Sequence, residues 1–244
     1  MKRVAAVIGG GGALGSAICH ALGEAGLRIA VIDINLLRAQ QCADLLVERG
    51  FSSAPIAGDI SRKSDAERIK DEVKAYFGRT DVLVNAQGTL HNELLFKLTE
   101  NGWKDTMTSH VEGTLNSMMA FAPVMKEQGY GRIINMSSIA VLGAVGGASY
   151  SAAKGAIEGL SRTAALEWAR YGITVNCVAP GLIEAGMFLT TPEKFRQAGI
   201  DKTPMKRAGK PEEVAACVRF LASEEAGFIT GQTIFICGGL SIGY

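Results

Sequence analysis

Short apolar runs alternate along the chain with longer segments in which apolar residues recur at helical spacing. The apolar runs occupy residues 4–8, 28–32, 54–58, 81–85, 132–138, 173–178 and 233–237. The helical segments include residues 61–77, 99–126, 150–170 and 211–221. Strands separated by helices of this length predict an α/β fold, in which a doubly wound parallel sheet carries helices on both faces.

The alternation continues without a break in composition, so we predict a single domain over residues 1–244. Residues 184–210 are the exception, because Pro192 and Pro204 lie in an irregular pattern with few apolar runs. We expect this segment to be a mobile insertion on the substrate side of the domain.

A glycine cluster from Gly9 to Gly15 follows the first strand and opens a helix. Glycine lets the backbone turn tightly and approach a pyrophosphate, and the free N–H groups at the start of the helix attract its charge. The next strand ends in Asp33, where a carboxylate is expected to bind the adenosine ribose. An ordinary turn and a helix N-cap are the alternatives for these two features.

Asp33 also indicates which dinucleotide binds. Its carboxylate accepts hydrogen bonds from a ribose hydroxyl but repels a 2′-phosphate, and Ile34 and Asn35 supply no compensating cation. The nearest cation, Arg38, is expected on the exposed face of the following helix. We therefore predict NAD as the cofactor, in preference to NADP.

Tyr150 and Lys154 lie one helical turn apart, at the start of a helix rich in small residues, and therefore share a face. The pKa of a free phenol is about 10, and an ammonium group beside it favours the phenolate. The pair is suited to acid–base chemistry, although a solvated helix face is the alternative for such a pair alone. Further polar groups and turn residues follow the other predicted strands: Asp59, Asn85, Ser137, Ser138, Pro180 and Gly181.

Composition restricts the possible partners. The chain is 48% hydrophobic and 20% charged, with 25 basic and 24 acidic residues, which excludes the charge pattern of a protein that binds nucleic acid or anionic lipid. Residues 133–153 are uncharged, but their serine and glycine content favours a buried active-site wall over a membrane span. Scattered cysteines and the absence of a signal-peptide pattern after Met1 predict a cytoplasmic protein without disulfides or a metal site.

In this combination the chain resembles the short-chain dehydrogenase/reductase family along essentially its whole length, with NAD-dependent alcohol and 3-oxoacyl reductases as the most similar members. The matching positions, in chain order, are Gly9 to Gly15, Asp33, Asp59 and Ile60, residues 81–85, Gly88, Trp103, Gly113, Ser137 and Ser138, Tyr150 to Lys154, Asn176, Pro180 and Gly181, residues 211–215, and Gly238 and Gly239. The resemblance implies a single Rossmann-type domain with a seven-stranded parallel sheet, usually tetrameric, that moves a hydride between nicotinamide and an alcohol or carbonyl.

By position, the resemblance makes Tyr150 the acid–base group. It implies that Lys154 lowers the pKa of Tyr150 and holds the nicotinamide ribose, and that a serine orients the substrate oxygen. Counting back from Tyr150 gives Ser137 as that serine, whereas aligning the preceding strand gives Ser138, which we prefer. The residues expected to bind the cofactor are Gly9, Gly12, Ala13, Leu14, Gly15, Asp33, Ile34, Asp59, Ile60, Asn85, Ala86, Gln87, Tyr150, Lys154, Pro180, Gly181 and Ile183.

Some positions depart from the family pattern, namely Ile8, Ala13, Ala86, Gln87, His110, Ala185 and Cys237. His110 matters most, because it replaces the asparagine that helps carry the family's proton relay. A lone histidine on an apolar helix face is more often structural than catalytic. Its position here favours a role, and we predict that neutral His110 joins the relay or fixes its water.

The leading hypothesis is an NAD-dependent oxidoreductase of a secondary alcohol or ketone with an apolar, aromatic or β-hydroxyacyl structure. Residues 90–98, 141–148 and 184–200 are expected to surround the reacting carbon, with the apolar side chains of Leu142, Val145, Met187 and Phe188. The alternative is a catalytically silent homologue that serves as a partner subunit in a hetero-oligomer.

Two helices predict self-association. The helix from Tyr150 carries small residues between Ala152 and Gly159, and the preceding helix carries Met118, Met119 and Met125. Small residues allow another backbone to approach, and methionine fills irregular gaps. We expect a homo-oligomer, in particular a tetramer with two-fold axes.

Overall fold

The fold is taken from a computed structural model in which residues 2–89 and 92–242 are described, apart from the side chain of Met187. The strands are β1 Val4–Ile8, β2 Arg28–Asp33, β3 Ser53–Ala57, β4 Val82–Asn85, β5 Gly131–Met136, β6 Ile173–Pro180 and β7 Thr233–Ile236. The α-helices are α1 Ala13–Glu24, α2 Leu36–Glu48, α3 Lys63–Phe77, α4 Glu100–Met107, α5 Gly113–Gln128, α6 Ala148–Trp168, α7 Met187–Thr190, α8 Glu193–Lys202 and α9 Pro211–Leu221.

The strands form one seven-stranded sheet in the order β3-β2-β1-β4-β5-β6-β7. Every neighbouring pair is parallel. The chain crosses from one half of the sheet to the other between β3 and β4, so β2 and β4 flank β1. This arrangement confirms the predicted single Rossmann-type domain, in which ligands bind at the carboxyl ends of the strands beside the crossing point.

Each face of the sheet has its own hydrophobic core, because successive strand residues point to opposite faces. Ala6 and Ile8 of β1 belong to the core that includes Phe121 of α5. Ala5 and Val7 belong to the opposite core, with residues of α1, α2 and α9. The strands are therefore buried on both faces, which explains why they are nearly continuous apolar runs.

The predicted continuous helix over residues 99–126 was wrong in one respect. Helix α4 ends at Met107, five residues from Thr108 to Glu112 form a π-helical turn, and α5 then continues to Gln128. A π turn inserts an extra residue and shifts the phase of the helix, so the apolar spacing alone did not reveal it. His110 lies at the centre of this turn and is buried.

Other boundaries moved by a few residues, and α6 begins at Ala148, so that Tyr150 already lies in its first turn. Residues 184–210 include α7 and α8, and a bridge between Ile183 and Gly209 closes the base of this segment. Its mobility stays a prediction.

Across residues 2–89 and 92–242, none of the helices has the length and apolarity that a membrane crossing requires.

Candidate active site

Tyr150 lies on α6 and faces the end of β5. Burial raises the pKa of its phenol above the ordinary value, and hydrogen-bond contact with the Ser138 hydroxyl opposes that rise. The ammonium of Lys154 lies 5.5 Å from the centroid of the Tyr150 ring. Burial is the larger of these two influences on the Tyr150 pKa, and the expectation that Lys154 lowers this pKa stays a prediction.

Lys154 is buried, with 3% of its surface exposed. Burial lowers the pKa of its side chain to about 8, because an ammonium group loses its hydration there. Its Nζ atom donates a hydrogen bond to the Met136 carbonyl at 2.6 Å. An ammonium has three donors, so two remain for other partners such as ribose hydroxyls.

The hydrogen bonds of Ser137 and Ser138 distinguish these neighbouring serines. The Ser137 hydroxyl donates to Oε1 of Glu158 at 2.7 Å, which uses its only hydrogen. The Ser138 hydroxyl accepts from the Ala140 N–H at 3.1 Å, and its hydrogen bond lowers the pKa of Tyr150, so it directs its own hydrogen at the phenol oxygen of Tyr150. The geometry therefore favours Ser138 as the group that can donate to a substrate oxygen beside Tyr150.

His110 reaches the same place from the π-helical turn. Its Nε2 atom lies 2.6 Å from the Thr89 carbonyl, which can only accept, so Nε2 carries the hydrogen. The Nδ1 atom is buried without a protein partner. Burial and then the charge of Lys154 lower the pKa of His110 to about 3, so the ring is neutral and offers one acceptor at Nδ1.

The glycine cluster packs as tightly as a dinucleotide turn requires. A Cβ atom on Gly15 would lie 2.1 Å from the Gly9 carbonyl oxygen, and one on Gly9 would lie 2.9 Å from the backbone of Gln87. Gly9 also has a positive φ of 74°. Ala13, by contrast, is exposed, which explains why this position accepts a methyl group.

The amino end of α1 is open. Its N-cap, Gly12, provides no side-chain hydrogen bond, so the first N–H groups, including those of Ala13 and Leu14, lack a capping partner. The backbone thus forms a cradle that fits a pyrophosphate.

Asp33 is fixed at the end of β2, with 8% of its surface exposed. Its carboxylate accepts from the N–H of Gly11 at 3.1 Å and from that of Asn35 at 3.0 Å. Gly11 packs against the backbone and Cβ of Arg38, whose side chain is exposed, as predicted. Ile34 is 73% exposed and has no polar side chain to offer a ribose.

The ends of β3 and β4 approach the same edge of the sheet. Asp59 accepts two bonds from Ser61, and the backbone carbonyl of the buried Ile60 accepts one from Asn116. The Gln87 amide donates to Thr114 at 3.2 Å, while its Oε1 atom is buried without a protein partner. Ala86 is held by a backbone bond to Ile8.

Asn85 was predicted to bind the cofactor, but its side chain is hydrogen-bonded to other residues of the protein. It donates to Asn135 at 2.8 Å and accepts from Ser117 at 2.6 Å. Only 2% of Asn85 is exposed, so this amide joins β4, β5 and α5 inside the protein. A cofactor contact would have to use its backbone.

The last predicted cofactor residues follow β6. Pro180 ends the strand, and the Gly181 N–H donates to the Ile236 carbonyl of β7 at 2.9 Å. A Cβ atom on Gly181 would lie 2.8 Å from Cα of Cys237, so this turn requires glycine. Ile183, two residues further along the chain, is held by a backbone bridge to Gly209.

The rim on the substrate side is apolar. Leu142 and Val145 are 61% and 97% exposed, and Phe96 is fully exposed. A bridge between Glu93 and Gly147 joins the segment that carries Phe96 to the loop before Tyr150. Leu90, within the predicted 90–98 segment, and the side chain of Met187 lie outside the described residues.

Glu158 was missed by sequence reasoning, although it contacts Ser137 directly. The signal was its spacing, since it follows Lys154 by one helical turn and Tyr150 by two and so shares their face. Asn135 and Ser117 were missed as well, because nothing in a strand or helix pattern marks a buried amide network.

Comparison with known proteins agrees with this geometry. A family model described as enoyl-(acyl carrier protein) reductase matches residues 11–241. The chain is 35% identical over 241 residues to the (2S)-[(R)-hydroxy(phenyl)methyl]succinyl-CoA dehydrogenase subunit BbsD of Thauera aromatica, covering 99% of this chain and 97% of that one. It is 36% identical to the 3-oxoacyl-[acyl-carrier-protein] reductase FabG of Staphylococcus epidermidis (strain ATCC 12228 / FDA PCI 1200), with 98% and 99% covered.

A solved structure, that of levodione reductase, superposes with a TM-score of 0.96 at 28% identity, covering 99% of this chain and 98% of the other. The parallel sheet, the glycine turn, and the tyrosine and lysine on α6 agree with these similarities over the whole chain. The chain therefore belongs to the short-chain dehydrogenase/reductase family of oxidoreductases that use nicotinamide cofactors.

Proposed function

We propose that this protein is an NAD-dependent oxidoreductase of β-hydroxyacyl and 3-oxoacyl thioesters, interconverting a secondary alcohol and its ketone. The observation that carries the proposal is the convergence of Tyr150, Ser138 and Lys154 at the end of β5. The hydroxyls of Tyr150 and Ser138 suit the oxygen of one reacting carbon, and the remaining donors of Lys154 suit one ribose. When bound, the nicotinamide cofactor supplies or accepts the hydride.

In the reducing direction, Tyr150 gives its proton to the substrate oxygen as that oxygen gains negative charge. Ser138, beside Tyr150, donates its hydrogen to the same oxygen when substrate is bound and so stabilises the developing charge. Lys154 keeps its ammonium form below a pKa of about 8 and favours the phenolate left on Tyr150. The open amino end of α1 and the carboxylate of Asp33 would hold the pyrophosphate and the adenosine ribose.

His110 can take part in the relay that returns a proton from solvent to Tyr150. Its neutral ring has a single acceptor, Nδ1, which is suited to fix a water molecule beside Tyr150. A pKa of about 3 prevents the ring from storing the proton at neutral pH. We therefore assign it the part of a fixed acceptor in the relay.

The substrate class is supported by the rim and by two relatives. Exposed Phe96, Leu142 and Val145 offer apolar surface for an acyl or aryl group. BbsD and FabG are named for a CoA thioester and an acyl-carrier-protein thioester. A thioester with oxygen on its β-carbon has an apolar acyl group for this rim and matches the thioester substrates for which the two relatives are named.

A panel assay tests this proposal. Purified protein would be given 3-oxoacyl-CoA thioesters of increasing chain length and simple aryl ketones, each with NADH and with NADPH. We expect NADH oxidation with the thioesters, with a KM that falls as the apolar group grows. Turnover of the aryl ketones alone, or of none of these compounds, would refute the thioester assignment.

A second candidate is a silent partner subunit, because BbsD is named as a subunit of its dehydrogenase. NADH titration by fluorescence separates the two candidates, since the absence of binding at millimolar cofactor excludes the enzyme.

We also propose a cytoplasmic homotetramer. All five cysteines are free thiols, in keeping with a reducing compartment. A groove of about 660 Å³, lined partly by Met119, Pro123, Leu166 and Tyr171, offers surface for a second copy.

A further inference from the structure

Three consecutive residues at the end of β5 are each bonded to one residue of α6. The pairs are Met136 with Lys154, Ser137 with Glu158, and Ser138 with Tyr150. The first and third pairs contain the groups to which we assign the chemistry. Ser137 of the second pair lies between the other two in sequence, and this pair touches no reacting group, so its role requires a separate explanation.

Ser137 is fixed on two sides. Its N–H donates to the Val178 carbonyl of β6 at 2.8 Å, and its hydroxyl donates to Glu158 at 2.7 Å. Only 3% of Ser137 is exposed. A hydrogen bond to a carboxylate in such surroundings is stronger than one between neutral groups.

The carboxylate of Glu158 also faces Arg162. Its Oε2 atom lies 3.5 Å from Arg162, whose side chain is 56% exposed, whereas that of Glu158 is 13% exposed. An ion pair with an exposed arginine contributes little to stability. The bond to Ser137 is therefore the more specific interaction of this carboxylate.

We propose that Glu158 is a positioning residue for the reaction. By holding Ser137 it fixes the direction in which the next residue, Ser138, presents its hydroxyl to Tyr150. The role rests on the proposed function, and its physical basis is that small displacements of a reacting group cost large factors in rate. Glu158 itself touches neither Tyr150 nor the substrate oxygen in this arrangement.

Four variants test the role: Glu158→Ala, Glu158→Gln, Ser137→Ala and the double variant Ser137→Ala/Glu158→Ala. We expect Glu158→Ala to lower kcat by about 10-fold to 100-fold, with NADH affinity unchanged. Glu158→Gln keeps an acceptor oxygen for Ser137 and should restore most of the rate. Ser137→Ala should match Glu158→Ala, and the double variant should lose no more than either single variant, because one bond is removed in each case.

Wild-type kcat in Glu158→Ala, or losses that multiply in the double variant, would overturn the proposal. A readout independent of turnover is the ionisation of Tyr150, followed by ultraviolet difference titration of each variant against the same variant with Tyr150→Phe. Contact with Ser138 lowers the pKa of Tyr150, so Glu158→Ala and Ser137→Ala should raise that pKa and Glu158→Gln should not. An unchanged tyrosine pKa refutes the positioning role, whereas an inactive wild type with the expected pKa shifts refutes only the proposed function.

Discussion

The imidazole of His110 meets the ring of Tyr150 edge-on, with the two ring centroids 5.2 Å apart and the planes at 77°. Gly88 also packs against the His110 ring, since a Cβ atom there would lie 1.9 Å from Cε1 of His110. The π-helical turn, the backbone after β4 and the start of α6 therefore meet at this ring. Packing and the bond to Thr89 together hold the His110 ring beside the proposed acid–base group.

Substitution of His110 separates a relay role from a packing role. His110→Asn restores an amide with both acceptor and donor and should retain much of the activity. His110→Ala removes the acceptor and should lower turnover about tenfold or more, which is less than the roughly 100-fold contribution at the low end for a group that transfers the proton itself. The check is kcat with NADH affinity measured in parallel, because cofactor binding should change little. Wild-type turnover and an unchanged pH profile in His110→Ala would make the histidine a packing residue.

His110 should also make the protein sensitive to acid. Its pKa is about 3 in the folded protein against an ordinary 6.5, so the unfolded state binds an extra proton between those pH values. Stability therefore falls as the pH drops through 6.5, by about 2 kcal/mol between pH 7 and pH 5 from this group alone. Urea unfolding of the wild type and His110→Asn at both pH values checks this difference. Equal losses in the two proteins would contradict the buried neutral ring.

Both predictions concern His110, whose surroundings the sequence did not reveal. Local sequence patterns predicted the sheet, the order of its elements, Asp33 and the Tyr150–Lys154 pair. They did so because helix periodicity and strand ends can be recognised from residues that are close in sequence. The π-helical turn brings His110 against Gly88, which is distant in sequence, and no local pattern marks such a contact. The choice between Ser137 and Ser138 likewise depends on Glu158, and the engagement of Asn85 depends on Asn135.

Removing the charge of Asp33 should relax cofactor choice. Asp33→Asn keeps an oxygen that can accept from Gly11 but no longer repels a 2′-phosphate. We expect the KM for NADPH to fall about fivefold to tenfold, since the repulsion relieved at this partly solvated edge is about 1 kcal/mol. Asp44→Asn, on the exposed face of α2, is the matched control and should change neither KM. A wild-type KM lower for NADPH than for NADH would contradict the NAD assignment.

Self-association should bury the outer faces of α5 and α6. Met119 and Leu166 are 57% and 85% exposed there, and Gly155 and Gly159 have open space beside them. Multi-angle light scattering should return a tetramer, and Leu166→Glu should reduce its size. Leu189→Glu, an exposed leucine on α7, is the control and should leave the assembly unchanged. A 25.7 kDa particle at micromolar concentration would reject the prediction.

The central claim is that the Tyr150 hydroxyl transfers the proton, while most of the contacts that hold the cofactor come from other groups. Its most direct test is a comparison of wild type and Tyr150→Phe, with NADH affinity measured by fluorescence and turnover measured with a 3-oxoacyl-CoA substrate. Loss of one hydroxyl should leave NADH affinity within about twofold and lower kcat by about 100-fold to 10,000-fold, the range of general acid–base catalysis. Equal turnover in the two proteins, or loss of NADH binding in parallel with activity, would contradict the account.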